Sequence, residues 1–400
     1  MDALRVERAA LREQRLEHCT AQISNFMRHP TSIRFRPNPA SAPCRSSQAR
    51  SDRFETRMVT MTASMNHGGS WRMPSRRDEC AATYEIVHHS PVEAPEVVVC
   101  IPTMRRPHLL TRTLQSLAAQ DVRLPFVCLV ADNDSSGREG AAIAQAFLQG
   151  SSLAGAVIVV PRAGNCAACS AAFAAARTLY PGAPFVAMID DDEEAEPDWL
   201  RHLLEAQERS GADLVGGPVV AKFERSDAGF FAAHPVFLPY YSTTGPVPFL
   251  YGSGNVLIRA TVLDRIGYPN FDDAFNFVGG GDIDFFKRCR AAGFTAWFEN
   301  GARASETVPI ARTQLRWVLA RSLRYGAINY MIERKQVRTI GGQARILAKS
   351  IALLGLSPIR AARRLLASRN LLIASHPIAE AVGRIGAQFR LSPEQYRKAR

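Results

Sequence analysis

From about residue 96 the chain alternates between fully apolar runs and amphipathic stretches. Val97 to Pro102 is a continuous apolar run, which predicts a strand buried on both faces. Pro107 then opens a segment with Leu110, Leu114 and Leu117 at i, i+4, i+7, the apolar stripe of a helix. The pair of patterns recurs, with strands predicted over 126–131, 156–160 and 185–189 and helices over 141–148, 166–179 and 199–209. Alternation at this interval predicts an α/β fold with a doubly wound, mainly parallel sheet. Further on, the pattern predicts ordered segments at 213–220 and 252–259, a helix over 283–292 and a strand over 295–299. From Gln314 onward the reading is helical and basic.

Residues 1–90 carry no sustained periodicity beyond a short helix near Ala3 to Cys19. They read as a largely disordered extension, in which Met58, Met61 and Met65 offer downstream starts. The expected organisation is therefore an extension over 1–90, an α/β domain over 91–312 and a basic amphipathic tail over 313–400.

Charge sharpens this division. The chain carries a formal net charge of +12 with 46% hydrophobic residues. Counted by segment, residues 1–90 hold +5, residues 91–306 hold −8 and residues 307–400 hold +15. Ile346, Leu347, Ile351, Leu354, Leu365 and Leu366 lie among Arg360, Arg363 and Arg364, as in helices that rest on an anionic membrane face; packing against the α/β domain is the competing reading. Few aromatics accompany these cations, which argues against nucleic acid. No apolar run reaches the ~20 residues of a membrane span, and the N-terminus lacks a signal-peptide core. A cytoplasmic protein, peripheral at most on the inner face of the membrane, is expected. The 8 cysteines follow no disulfide framework, and Cys166 and Cys169 sit in an Ala-rich helical run, so reduced thiols are expected.

The candidate chemistry lies where apolar runs end. Asp190, Asp191 and Asp192 close the 185–189 strand, and in an open α/β sheet ligands bind beyond the carboxyl ends of strands. Asp190 and Asp192 are spaced to face one hard cation through oxygen ligands. Glu194, Glu196 and Asp198 fit a helix start instead. Asp132 and Asp134 close the second strand, where they suit either a ribose or a turn. Gly279, Gly280 and Gly281 lead into Asp282 and Asp284 at another helix start. Trp317, Arg321 and Arg324 share a face at i, i+4, i+7 and could meet a diphosphate or a sugar ring. Neither GxxxxGK[ST] nor a strand-linked GxGxxG is present, so a bound nucleotide needs a metal and side chains to neutralise it.

These motifs, in this order from Val97 to Gly326, resemble the inverting GT-A glycosyltransferases of family 2, in particular those that build succinoglycan-type exopolysaccharide. The resemblance rests on Ile101 to Pro107, Ser116 to Gln120, Asp132 to Asp134, Ile189 to Asp192 with Glu196 to Leu200, Gly252 to Arg259, and Gly279 to Phe286. Glu306 to Pro309, with Arg312, Trp317, Arg321, Arg324 and Gly326, completes it. It implies a GT-A catalytic domain, with a Rossmann-like nucleotide-binding half and an acceptor half. Thr103, Arg105, Asp132, Asp134, Arg162 and Asp191 would contact the nucleotide-sugar donor, a UDP-glucose-like ligand. Asp190 and Asp192 would hold Mg2+ or Mn2+. Asp282 would be the general base, and Asp284, Trp317, Arg321 and Arg324 would face the acceptor or diphosphate. The acceptor would be a saccharide or a lipid-linked oligosaccharide. Three positions depart from the family pattern: Gly281 where Glu is usual, Cys169-Ser170 where many members have Arg-Asn, and Met104 where an aromatic is common. The QxxRW motif of processive members is not matched, which fits transfer of a single sugar. A sugar-nucleotide nucleotidyltransferase and a catalytically degenerate binding scaffold remain the alternatives.

Overall fold

The computed structural model describes residues 83–389; the expected N-terminal helix near Ala3 and most of the expected extension lie outside the described residues. The chain begins with β1 (Glu85–His89) and β2 (Val97–Thr103), followed by α1 (Pro107–Ala118), β3 (Phe126–Asp132) and α2 (Glu139–Gly150). Next come β4 (Gly155–Val159), α3 (Asn165–Leu179), β5 (Phe185–Ile189), β6 (Glu193–Ala195) and α4 (Trp199–Ser210). The second half holds β7 (Leu214–Gly216), β8 (Val219–Phe223), a one-turn α5 (Gly229–Ala232), β9 (Gly245–Val247), β10 (Asn255–Arg259) and α6 (Ala260–Ile266). It continues through α7 (Gly281–Ala291), β11 (Ala296–Phe298) and β12 (Ala304–Val308), and closes with α8 (Leu315–Gln336), α9 (Ile340–Ser368) and α10 (Leu371–Gln388).

The main sheet runs β1-β4-β3-β2-β5-β10-β7-β11-β9 among the described residues. β4, β3, β2 and β5 are parallel, as the alternating pattern predicts. Successive residues of β2 point to opposite faces: Val98 and Cys100 pack with α3 and α7, while Val97, Val99 and Ile101 pack with α1, α2 and α4. Both faces are thereby covered, which is why these strands read as unbroken apolar runs.

Two features depart from the parallel pattern. β1 adds an antiparallel edge to β4, within the region expected to lack order. β10 enters between β5 and β7 antiparallel to both, with Asn255 opposite Ile189. The long connection from β8 therefore delivers the 252–254 segment beside the carboxyl end of β5, where the aspartates lie. A second sheet, β6-β12-β8, stands next to it.

The C-terminal helices form a layer of their own. A Cβ at Gly326 of α8 would fall 1.8 Å from the Glu380 carbonyl, and one at Gly383 of α10 would fall 1.9 Å from that of Leu323, so this crossing requires glycine on both sides. Buried Arg384 then ties the three helices together, donating to Glu333 of α8 and to Ser350 Oγ of α9 at 3.0 Å.

Candidate active site

The site forms where β2, β3 and β5 end side by side. Past Ile189, Asp190 to Asp192 turn the chain into β6. Asp191 is buried and fully engaged: it accepts from Thr103 Oγ1 at 2.8 Å, from the Met104 N–H at 3.3 Å and from Arg106 at 2.9 Å. The same Arg106 nitrogen reaches Asp192 Oδ2 at 2.9 Å, and Arg312 approaches that oxygen at 3.3 Å. Arg312 also donates to Glu306, which the pairing of β12 with β6 sets opposite Glu193. Four carboxylates beyond Asp191 thus meet in one volume, with two guanidinium groups at its edge.

Asp190 lies half-buried at the centre of this group. Burial, then the charges of Asp192, Asp191 and Glu306, push its carboxyl up to about 8. Burial raises Glu193 well above the ordinary range, with Asp190 and Asp192 adding to it, and raises Glu306 with help from Asp192. Among the described residues no three His, Cys, Asp or Glu side chains converge as a ready ligand set. The donor chemistry nevertheless fits a hard divalent ion: the groups are oxygen ligands, and their mutual repulsion is what added positive charge would relieve.

The other expected donor contacts have different partners. Asp132 has no exposed surface, and its two oxygens accept from the N–H groups of Asp134 (2.9 Å) and Ala141 (2.8 Å). In this structure Asp132 is a buried brace between β3 and α2. Thr103 is likewise buried and holds Asp191. Both Asp191 oxygens are engaged, Oδ2 by Thr103 and the Met104 N–H and Oδ1 by Arg106. Arg105 adopts φ of 56° and pairs with Asp134 at 2.9 Å, and this arginine holds the Asp134 carboxyl below its ordinary range. Arg162 is exposed and pairs with Asp273 at 2.6 Å.

The third motif divides in the same way. The Asp282 carboxylate is half-buried at the start of α7 and accepts from the Gly252 N–H at 2.9 Å, so the segment before β10 carries its anchor. Burial raises its carboxyl, while backbone N–H groups and the nearby Arg321 work against that rise. Asp284, two residues further, is buried and clamped by Lys335 Nζ (2.8 Å to each oxygen) and Arg288 (2.9 Å). In this structure Asp284 is an ion-pair anchor between α7 and α8. A Cβ on Gly281 would lie 2.6 Å from Cys166 Sγ, which explains the glycine at the position where glutamate is usual.

On α8, Trp317 stacks on Phe237 with centroids 5.9 Å apart, and the Arg312 guanidinium stands 6.0 Å over its ring. The charge of Arg321 works against the rise of both the Asp282 and the Glu306 carboxyls. Arg324 is buried inside the helical layer, so the three side chains do not present one open face. Glu194 and Glu196 do not begin a helix: Glu194 lies in β6 and pairs with Arg112, and Glu196 lies near Arg303. Asp198 does stand immediately before α4.

Glu193 belongs to the site without a predicted role of its own, and Arg106, Glu306 and Arg312 enter the sequence reading only as motif positions. Arg106 lies within the first motif, Ile101 to Pro107, and that membership is the available signal. Glu306 is 113 residues from Glu193, and only the β6–β12 register joins them.

Comparison with known proteins accords with this architecture. Residues 98–267 match the family model described as glycosyl transferase family 2. The succinoglycan biosynthesis protein ExoM of Rhizobium meliloti (strain 1021) is 31% identical over 247 residues, spanning 59% of this chain and 74% of that protein. Among solved structures, S. aureus TarS in complex with UDP aligns with 74% of this chain and 91% of its own, at 14% identity and a TM-score of 0.41. The mannosyltransferase PcManGT from Pyrobaculum calidifontis, in complex with GDP-Man and Mn2+, aligns over 75% and 89%, at 16% identity and a TM-score of 0.48. On the strength of the family model and of ExoM, this chain belongs to glycosyl transferase family 2 and is a glycosyltransferase.

Proposed function

We propose that the enzyme moves one sugar, with inversion, from a nucleotide-diphosphate sugar of the UDP-glucose type to a saccharide or lipid-linked acceptor in polysaccharide biosynthesis, at an anionic membrane face. The observation that carries this reading is the placement of Asp282. Its carboxylate is half-buried and fixed by the Gly252 N–H, in the segment that leads into β10 beside the carboxyl end of β5. Burial makes it a stronger base than an exposed aspartate, which suits abstraction of a proton from a hydroxyl.

In this mechanism Asp282 takes the acceptor hydroxyl proton as that oxygen attacks the anomeric carbon. The bond to the donor diphosphate breaks on the opposite side, so configuration inverts in one displacement and no covalent enzyme intermediate forms. Arg321 and Arg312 would meet the negative charge that develops on the leaving group, and such fixed charges act most strongly in a partly desolvated site. Asp190 and Asp192 would hold Mg2+ or Mn2+, which supplies further neutralisation of the diphosphate when bound. Arg106 and Arg312 would have to share Asp192 with that ion.

Released nucleoside diphosphate, measured across a panel of nucleotide sugars with saccharide acceptors, tests the reading. Asp282→Asn is expected to lower acceptor-dependent release by about 10²–10⁴-fold. Wild-type release by that variant would remove the base assignment. The arginine clamp on Asp192 favours one competing reading, a binding scaffold without turnover; metal-dependent nucleotide binding with no release from any donor would select it.

A further inference from the structure

α9 stands out because so little of it faces protein. Over its 29 residues only Ile346, Ser350 and Ser357 are buried, which leaves the helix resting on α8 and α10 along a narrow line. At 100° per residue, the arc turned away from that line runs from Leu354 through Leu347, Ile351 and Leu366 to Ile359. Those five side chains are 38–81% exposed, and the arc contains no charged or polar side chain. Arg345 and Arg363 border it on one side, both exposed.

Along α9 itself the charge is of one sign, with Glu333 of α8 and Glu380 of α10 set against Lys349 and Arg360. Between Glu333 and Glu380 the chain carries nine Lys or Arg residues and no Asp or Glu. At the end of α9 the apolar surface continues: Leu371 is 73% exposed, and Asn370 donates to the Phe230 carbonyl at 2.8 Å, bringing Phe230, itself 53% exposed, to the same corner. No helix among the described residues is long and apolar enough to cross a membrane. A long amphipathic helix with an apolar outer face and a basic border is suited to lie in a bilayer interface rather than through it.

We propose that α9 is a membrane-docking helix, seated in the headgroup region of an anionic bilayer with Ile351, Ile359 and Leu366 turned into the acyl boundary. This deepens the membrane contact proposed above and rests on it. A second copy of the chain fits the face less well. Two copies joined through this arc would bring Arg345 and Arg363 of each towards the other, and α9 carries no acid to compensate them. Anionic lipid headgroups supply that compensation. Because α8 continues directly from the site that holds Arg312 and Arg321, docking by α9 would keep the acceptor side close to lipid-linked substrates.

The test is flotation of the full chain with phosphatidylcholine vesicles, with and without a third of the lipid replaced by phosphatidylglycerol. Wild type is expected to float with the anionic vesicles. The Ile351→Glu/Ile359→Glu double variant, whose sites are exposed and outside the core, is expected to bind about tenfold more weakly or worse. A Leu366→Trp reporter should shift its emission to the blue on adding anionic vesicles. Retained binding by the Ile351/Ile359 variant, alongside loss in Arg345→Gln/Arg363→Gln, would overturn apolar docking while the broader membrane contact stands. Absence of wild-type binding to either vesicle would overturn both. A wild-type dimer in lipid-free solution that the Ile351/Ile359 variant converts to monomer would assign the face to self-association and overturn the proposal.

Discussion

Gly281 offers the sharpest test of how the base is held. It begins α7, immediately before Asp282, and an added Cβ would sit 2.6 Å from Cys166 Sγ and 3.6 Å from Phe271 and Phe275. Cys166 is 2% exposed and pivots about a single side-chain bond, so relief requires α7 or α3 to move. Such overpacking costs about 1–3 kcal/mol, and the small gain in helix propensity of Ala over Gly only partly offsets it at a first helical position. Cys166→Ala alone should cost about 1 kcal/mol through loss of a buried atom. In the double variant the clash is gone, so the combined loss should fall short of the sum by about 1–2 kcal/mol. Urea unfolding of wild type, both single variants and the pair measures this coupling, and donor turnover in the same set reads the displacement of Asp282. Additive losses, with a coupling below about 0.3 kcal/mol, would refute the view that Cys166 dictates glycine at this position.

The remaining predictions concern charge. Lys335→Met should destabilise the protein by about 2–4 kcal/mol in chemical unfolding, because buried Asp284 would keep only Arg288. With Asp190 raised to about 8 by burial and its acidic neighbours, the native state binds more protons than the unfolded chain from roughly pH 4 to 8, so this group costs stability as pH rises through that window. Mn2+ or Mg2+ should therefore raise Tm more at pH 8 than at pH 5, and Asp190→Asn should raise Tm at pH 8 in EDTA and blunt the metal effect. His234 and His376 act oppositely: burial holds them down at about 4 and about 3, so the unfolded chain takes up protons first. Their contribution is complete above pH 6.5 and declines as pH falls below it, which a Tm series from pH 7 to pH 4.5 would show as acid lability.

Most of the nucleotide half was legible in the chain. Strands 2 to 5 and the helices between them fall within two or three residues of the apolar runs and stripes that predict them, because buried parallel strands and amphipathic helices leave distinct patterns. The direction of β10 was not legible. Its apolar run looks the same either way round, and only the end at which the long 224–251 connection arrives decides it. β1 was hidden for a related reason: an edge strand with one partner, reading Glu85-Ile86-Val87-His88-His89, has no need of an apolar run.

The acidic motifs were visible as residues but not as relationships. In the sequence Asp190, Asp191 and Asp192 look equivalent, and only spacing separates them. In the folded chain Asp191 is satisfied by Thr103 and Arg106, and Asp192 by Arg106 and Arg312, whereas Asp190 makes no ion pair among the described residues. At ~4 Å and an effective dielectric of ~20, each like-charge pair costs on the order of several kcal/mol, so two arginines cannot neutralise Asp190, Asp192, Glu193 and Glu306 together. The deficit falls on Asp190 and Glu193, each raised by repulsion added to burial. Because Asp190 has no ion pair among the described residues, one further positive charge beside it would lower the energy of the site, and the arginines came to the cluster from 85 and 120 residues away in the chain, beyond the reach of any local pattern.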